Sequence, residues 1–312
     1  DAGSPLGPSV VPVALADRRC ARDAVGAGEI ESLPGPPAAP SRISGLRLAV
    51  ILDPFSLRSL GGECELVALH PETWLEQLRD SPPHALLVES AWTGLSGEWA
   101  GKVERAPGLL RSIVASCRHA GIPAIFWNKE DPLHFDAFLQ TASLFDHVFT
   151  SDANSIGRYR RLLGHDRVGL MPFALQPRTH HPIREVAPEA SSVFAGAWYG
   201  RFRDRCHDFH MVAAALTAAG PLAIHDRNDG RGGPHQKFPE IYAEYLRPAL
   251  DYDQTAALFR RHRIGVNMNT IKGSATMFAR RALEIIGCDA AVYGNHSLAL
   301  RQLFGDLTVS TD

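Results

Sequence analysis

From Gly45 onward, short apolar runs, each closed by a polar tip, alternate with amphipathic stretches. The runs are Leu46–Leu52, Cys64–Leu69, Ala85–Val88, Ala124–Trp127, His147–Phe149 and Val168–Phe173. Between them the apolar period lengthens to that of a helix over Pro71–Arg79, Gly108–Ala120, Pro132–Leu144 and Asn154–Leu163. Near-continuous apolar strands alternating with helices of this length predict βαβ units and a mostly parallel sheet. The segment Gln176–Ala190 interrupts the pattern with prolines and histidines and reads as a linker. A second series then follows. Its strands are predicted at Ser192–Ala195, Leu222–His225, Ile264–Met268, Ala290–Tyr293 and Leu307–Val309, and its helices at Asp204–Ala218, Tyr252–Arg261, Ala275–Ile286 and Ser297–Leu303.

The expected organisation is therefore a Pro/Ala/Gly-rich lead-in over 1–44, an α/β domain over 45–175, a linker over 176–190 and a second α/β domain over 191–312. The lead-in ends in a proline-dense stretch that suits neither helix nor central strand, with one short strand expected at Val10–Val13. A length of 312 residues accommodates two such domains. The net charge of −2 and the lack of a Lys/Arg block argue against nucleic-acid partners. No apolar run reaches the roughly 18–20 residues of a spanning helix. Five scattered cysteines without a CxxC pair suit reduced thiols and a cytoplasmic protein. Cys206, His207, Asp208 and His210 lie on one predicted helix without a second ligand pair, so no metal site is expected.

In open parallel sheets, ligands bind beyond the carboxyl ends of the strands. In the first domain that rule selects Asp53, then Glu89 with Ser90 and Trp92, then Asn128, Lys129, Glu130 and Asp131, then Ser151 and Asp152. Asp131 and Asp152 also suit helix N-caps, with Pro132 as a first helical residue. Glu89 and Glu130 are harder to explain as caps and are stronger candidates for acid–base work. In the second domain the first strand runs into a turn carrying Gly196, Trp198, Tyr199, Arg201 and Arg205, where glycines allow close approach and arginines suit a diphosphate. It is neither GxGxxG nor a P-loop. A later strand ends in Asn269, crosses a turn with Ser274, Thr276 and Met277, and enters a predicted helix with Arg280, Arg281 and Glu284. Helix-start amides there would hold phosphate oxygens, and Glu284 two ribose hydroxyls; an ordinary capped helix with surface arginines is the alternative.

The stretches LLVESAW (86–92), IFWNKEDP (125–132), FDHVFTSD (145–152), MPFALQP (171–177), FAGAWY (194–199) and NMNTIKGSATMFARRALE (267–284) resemble the CgeB-like, or spore-maturation-protein-like, glycosyltransferases over residues 46–305. The resemblance implies a GT-B architecture: two Rossmann-like domains with mostly parallel sheets facing a central cleft, the first for an acceptor, the second for a nucleotide-sugar. It implies a hexosyltransferase-type enzyme that moves sugar from a nucleoside diphosphate sugar to a hydroxyl, metal-independent, with retention of configuration and no cofactor beyond that co-substrate. Glu89, Asn128, Glu130 and Asp131 would then serve catalysis, with Asp53 and Trp92 on the acceptor side. Arg201 or Arg205 and Arg280 or Arg281 would hold the leaving diphosphate. The acceptor, a small molecule, glycan or protein, is unread.

Departures from the pattern are specific. Related enzymes carry a second glutamate where this chain has Thr276, Asp53 is followed by Pro54 rather than an acidic residue, and Gly287-Cys288-Asp289 replaces the usual Cys-Gly. The chain stops at Asp312, where GT-B proteins usually continue into a helix that crosses back to the first domain, so either that part is missing from this sequence or its closure is unusual. These departures keep two rivals open: a non-catalytic nucleotide- or carbohydrate-binding protein on the same scaffold, and a nucleotide-sugar epimerase of similar fold.

Overall fold

The computed structural model describes residues 30–105, 107–229 and 233–311. The strand expected at Val10–Val13 lies outside them. The first unit runs β1 (Arg47–Ile51), α1 (Pro54–Leu60), β2 (Glu65–Ala68), α2 (Trp74–Asp80), β3 (Ala85–Glu89), α3 (Gly108–His119), β4 (Ala124–Asn128), α4 (Phe135–Ala142), β5 (His147–Thr150), α5 (Ile156–Leu163) and β6 (Val168–Leu170). The second runs β7 (Glu189–Gly196), α6 (Arg203–Ala219), β8 (Leu222–Asp226), β9 (Leu246–Arg247), α7 (Tyr252–Arg261), β10 (His262–Asn267), α8 (Arg281–Gly287), β11 (Ala291–Asn295), α9 (Leu298–Phe304) and β12 (Thr308–Thr311).

Both six-stranded sheets are parallel, in the orders β2-β1-β3-β4-β5-β6 and β12-β11-β10-β7-β8-β9. This is the expected pair of Rossmann-like units. In each sheet the strand order reverses at one point, between β1 and β3 and between β7 and β10. That is where open parallel sheets form their crevice.

Alternation along the buried strands feeds both faces of the first sheet. Ala49, Ile51, Leu86 and Val88 join a core with Leu110, Ile113, Val114 and Cys117 of α3. That spacing of three, four and seven residues is the buried stripe of an amphipathic helix. Val50, Leu52, Leu87 and Trp127 face the other way, against Leu57 and Leu60 of α1. The second unit divides its core similarly, with Phe194, Phe209, Ile224 and Val266 on one face and Val193, Phe259, Ile285 and Val292 on the other.

Three local expectations change, and one helix, α1, is added to them. α1 follows Asp53 directly with Pro54 at its first turn, a position that suits proline. Pro132 does not open a helix; α4 begins three residues later, at Phe135. β7 starts at Glu189, inside the stretch read as linker. The largest change is α8, which begins at Arg281 instead of Ala275. Ser274 Oγ accepts from the amides of Thr276 and Met277, and Asn269 Oδ1 accepts from Ala279 N at 2.8 Å. Such side-chain bonds compete with helical ones and hold the preceding turn open.

That turn clasps the first unit. Ser274 Oγ donates to Asp152 Oδ1 at 2.5 Å. Thr276 Oγ1 donates to Ser151 O at 3.0 Å and accepts from Ala153 N at 2.9 Å. Phe173 meets Phe278 edge-on, and Arg58 of α1 pairs with Asp253 of α7 at 2.5 Å.

Gly294 in β11 shows how closely the second sheet is built. A Cβ there would lie 1.8 Å from the carbonyl oxygen of Asn267 on β10. Backbone cannot move aside as a side-chain tip can. Gly294→Ala is expected to cost about 3 kcal/mol or more, the upper range for overpacking, read as a lowered urea midpoint; an unchanged midpoint overturns the close approach.

Candidate functional site

At the first switch point, the tips of β1, β3 and β4 converge on one ammonium. Lys129 Nζ lies 2.6 Å from Asp53 Oδ2 and 2.8 Å from Glu89 Oε1. Glu89 is fully buried and also accepts from Asp53 N at 2.6 Å and Ser56 Oγ at 2.5 Å. Asp53 accepts from the amides of Trp92, Thr93 and Gly94, tying down the loop after β3. Burial disfavours every charge here. At Lys129 the two carboxylates outweigh it and hold the ammonium above its ordinary range. At Asp53 the Lys129 charge and the loop amides likewise outweigh it and hold the carboxyl below its range. At Glu89 burial prevails and raises the carboxyl.

Beside this triad, Asn128 and Asp131 form a second buried network. Asn128 Nδ2 donates to Asp131 Oδ1 and to the Tyr159 hydroxyl, both at 2.8 Å, and Thr150 Oγ1 donates to Asp131 Oδ2 at 2.6 Å. Burial pushes the Asp131 carboxyl up to about 7 against these hydrogen bonds. Asp152 accepts from Asn154 N and Ser155 Oγ, so it caps the turn before α5 while gripping Ser274.

A cavity of about 380 Å³ opens between the two units. Of the residues selected from sequence, Trp92, Glu130, Tyr199, Arg205, Met277, Arg280, Arg281 and Glu284 line it. Glu89, Asn128 and Asp131 do not; they lie fully buried beneath the first wall, with their polar atoms engaged. Asp53 does not line it either, and is paired with Lys129, which does. Trp198 packs into the aromatic core with Phe209, Phe238 and Tyr242. Arg201 is exposed and lines a separate recess with Gly233 and His235. Asn269 is locked to Asn295, while Ser274 and Thr276 are engaged in the clasp. The amides of Thr276 and Met277 already serve Ser274, which corrects their expected role as free phosphate donors. Gly196 makes room for the chain's own side chains: a Cβ there would come within 2.8 Å of Arg281 Nη2.

The walls differ in charge. The second unit presents Arg205, Arg227, Arg280 and Arg281 against the single carboxylate of Glu284. Arg280 is paired with Glu284, which also accepts from Tyr252 at 3.0 Å. Arg205 lies 4.7 Å over the Tyr199 ring, its Nε without a partner, and Arg227 donates to the Tyr199 hydroxyl at 2.5 Å. Arg281 makes no hydrogen bond or ion pair among the described residues; its guanidinium lies 5.1 Å over Phe194. Burial lowers it to about 9, which leaves it charged at neutral pH. The first wall offers Glu130, whose carboxylate likewise has no partner among the described residues, beside His134 and Trp92.

Phe55, His134, Arg227 and Tyr252 were not selected from sequence, and Lys129 was named at its strand tip without a role. Arg227 follows the tip of β8, where the strand-end rule reaches it. Phe55 and Tyr252 look like ordinary apolar helix positions, and only the packing of α1 against α7 brings them together.

No protein-family model and no curated protein matches the sequence. Solved structures of similar fold include UDP-N-acetylglucosamine 2-epimerase from Rickettsia bellii, with TM-score 0.42 and 10 % identity over 80 % of this chain and 78 % of that one. Another is the UDP-GlcNAc 2-epimerase from Neisseria meningitidis bound to UDP-GlcNAc, with TM-score 0.38 and 8 % identity over 71 % and 77 % of the two chains. The fold class itself is read from the two parallel sheets.

Two outcomes follow from the buried groups. Lys129→Met leaves two buried carboxylates without their cation and is expected to destabilise the protein by about 3–5 kcal/mol. Glu89→Gln in that background should recover part of the loss; equal stability of wild type and Lys129→Met would refute the triad. For Asp131, a folded pKa near 7 lies above its ordinary 3.8. The folded state then holds the extra proton, so this stabilisation is full below about pH 4 and is lost as pH rises to about 7. Asp131→Asn stays neutral and should remove about 4 kcal/mol of that decline, measured as urea midpoints at pH 4 and pH 8. An unaltered pH dependence would contradict the assignment.

Proposed function

We propose that this protein is a nucleotide-sugar-dependent glycosyltransferase of the CgeB-like type, binding the donor's diphosphate on the second unit's arginines and the acceptor against the first unit. The observation that carries the reading is Arg281: a charged guanidinium on a cavity wall, with no ion pair or hydrogen bond among the described residues, beside Arg205 and Arg227. A half-buried cation without an ion pair is costly unless something anionic joins it. A diphosphate meets guanidinium groups in bidentate geometry and supplies the missing charge.

In the proposed reaction, an acceptor hydroxyl attacks the anomeric carbon and the bond from that carbon to the phosphate oxygen breaks. The departing diphosphate takes the electron pair, and Arg205, Arg227 and Arg281 stabilise its growing charge. They do what a divalent cation does in metal-dependent transferases. With Glu89 and Asp131 fully buried, Glu130 is the carboxylate left to receive the acceptor's proton in an inverting displacement. In a retaining one the departing phosphate takes it. Trp92 and Leu133 offer apolar surface to a sugar face, with His134 as a hydrogen-bonding neighbour.

Calorimetry against UDP-, GDP- and dTDP-sugars in the presence of EDTA, followed by hydrolysis and transfer assays, tests the reading. Binding with slow sugar release is expected, and the anomeric configuration of the product separates retention from inversion. A changed sugar still attached to its nucleotide would make the protein an epimerase. Binding without turnover across diverse acceptors would make it a binding protein. Arg281→Met should weaken binding of the best nucleoside diphosphate at least about tenfold, as for a lost charge-assisted pair. Undiminished affinity in the folded variant would remove Arg281 from the site.

A further inference from the structure

Behind the cavity lies a second chamber of about 220 Å³, floored by Gly196 at the tip of β7. Pro54 and Phe55 of α1 cover it from the first unit, and Leu250, Tyr252 and Phe259 wall it from the second. The two chambers share one partition, to which Phe55, Arg227, Arg280, Arg281 and Glu284 contribute.

Within that partition Arg280 is held from both units. Its Nη1 donates to Glu284 Oε1, and its guanidinium lies 3.8 Å over Phe55 and 5.1 Å over Tyr252. The Tyr252 hydroxyl donates to the same Oε1 at 3.0 Å. Glu284 Oε2 has no hydrogen-bond partner among the described residues. The pair thus stands between a chamber that adds Pro54, Leu250, Tyr252 and Phe259 to the shared residues and one that adds Lys129 and Arg205 to the same arginines.

We propose that the Arg280–Glu284 pair is a gate: the inner chamber receives the nucleoside end of a nucleoside diphosphate, and Arg280 leaves Glu284 for the diphosphate as that ligand enters. This rests on the nucleotide-sugar reading above and adds to it a conformational step and the direction in which the ligand lies. The base and ribose occupy the inner chamber, the diphosphate crosses the partition, and the sugar projects toward Glu130. A planar heterocycle suits walls of Pro54, Leu250, Tyr252 and Phe259. Glu284, released from Arg280, turns both carboxylate oxygens to ribose hydroxyls. A diphosphate gives Arg280 a partner of higher charge than the carboxylate it leaves, and a bidentate fit in place of the single Nη1–Oε1 contact.

The gate makes a signed prediction, because any ligand that opens it does so against the Arg280–Glu284 attraction. Glu284→Gln weakens the closed state without removing Arg280. It is expected to tighten binding of inorganic pyrophosphate by about three- to tenfold, since that probe carries no ribose. Arg280→Met is expected to weaken pyrophosphate at least about tenfold. The ratio of UDP or GDP affinity to pyrophosphate affinity should fall in Glu284→Gln, because only the nucleotides use the carboxylate. Titration calorimetry of both variants and the wild-type chain reads all three, with melting temperatures confirming folding. A pair serving only structure would lower pyrophosphate affinity in both variants, or leave it unchanged, and either result in Glu284→Gln overturns the gate. Wild-type protein that binds neither pyrophosphate nor any nucleotide would overturn the gate and the nucleotide-sugar reading together. Pyrophosphate binding without the signed response overturns the gate alone.

Discussion

Lys129 sits where three strand tips would otherwise present two carboxylates to each other at the base of a cleft. Its ammonium lies within 2.8 Å of both Asp53 and Glu89, and neither acid has another ion pair among the described residues. In low-dielectric surroundings, two like charges at such separations cannot both persist without a counter-charge. The residue that follows β4 therefore sets the relation of β1, β3 and β4 at their carboxyl ends. Through Asp53 it also orders the loop carrying Trp92, and through Glu89 the first turn of α1. Phe55, one wall of the partition, is on that turn, with Lys129 Nζ 4.5 Å over its ring. The first wall of the cavity is thus a consequence of a charge balance beneath it.

The second wall is built the opposite way, with cations left short of partners. Arg281 is drawn in by the absence of a side chain at Gly196, and Arg205 by the ring of Tyr199. Ring faces attract cations but do not neutralise them. The wall therefore keeps an affinity for anions while the protein as a whole is nearly neutral. The clasp made by Ser274, Thr276 and Asp152 holds this wall against the first, so the positive arginines and the unpaired Glu130 carboxylate face one space.

Some of this was legible beforehand. The strand runs from Leu46 to Leu307 matched observed strands because buried parallel strands must be apolar on both faces, which local sequence records. Strand β9 was missed because two residues carry no periodicity. The helix start at Ala275 was misplaced because good helix-forming spacing continued through a turn whose polar side chains bind backbone amides instead. Among site residues, Arg205, Arg280, Arg281 and Glu284 were found by their place after strand tips. Glu89, Asn128 and Asp131 were selected by the same rule but point beneath the wall, since a strand-end rule locates a backbone position and not the direction of a side chain.

Sequence alone determined two parallel α/β units and the strand ends at which polar groups gather, because apolar periodicity and turn composition act over a few residues. Tertiary structure decided which polar groups are sealed in ion pairs and which are left facing the cleft. Lys129 meets Glu89 across 40 positions, and Ser274 meets Asp152 across 122. Charge balance at such separations depends on how sheets and units pack, and no local pattern encodes it.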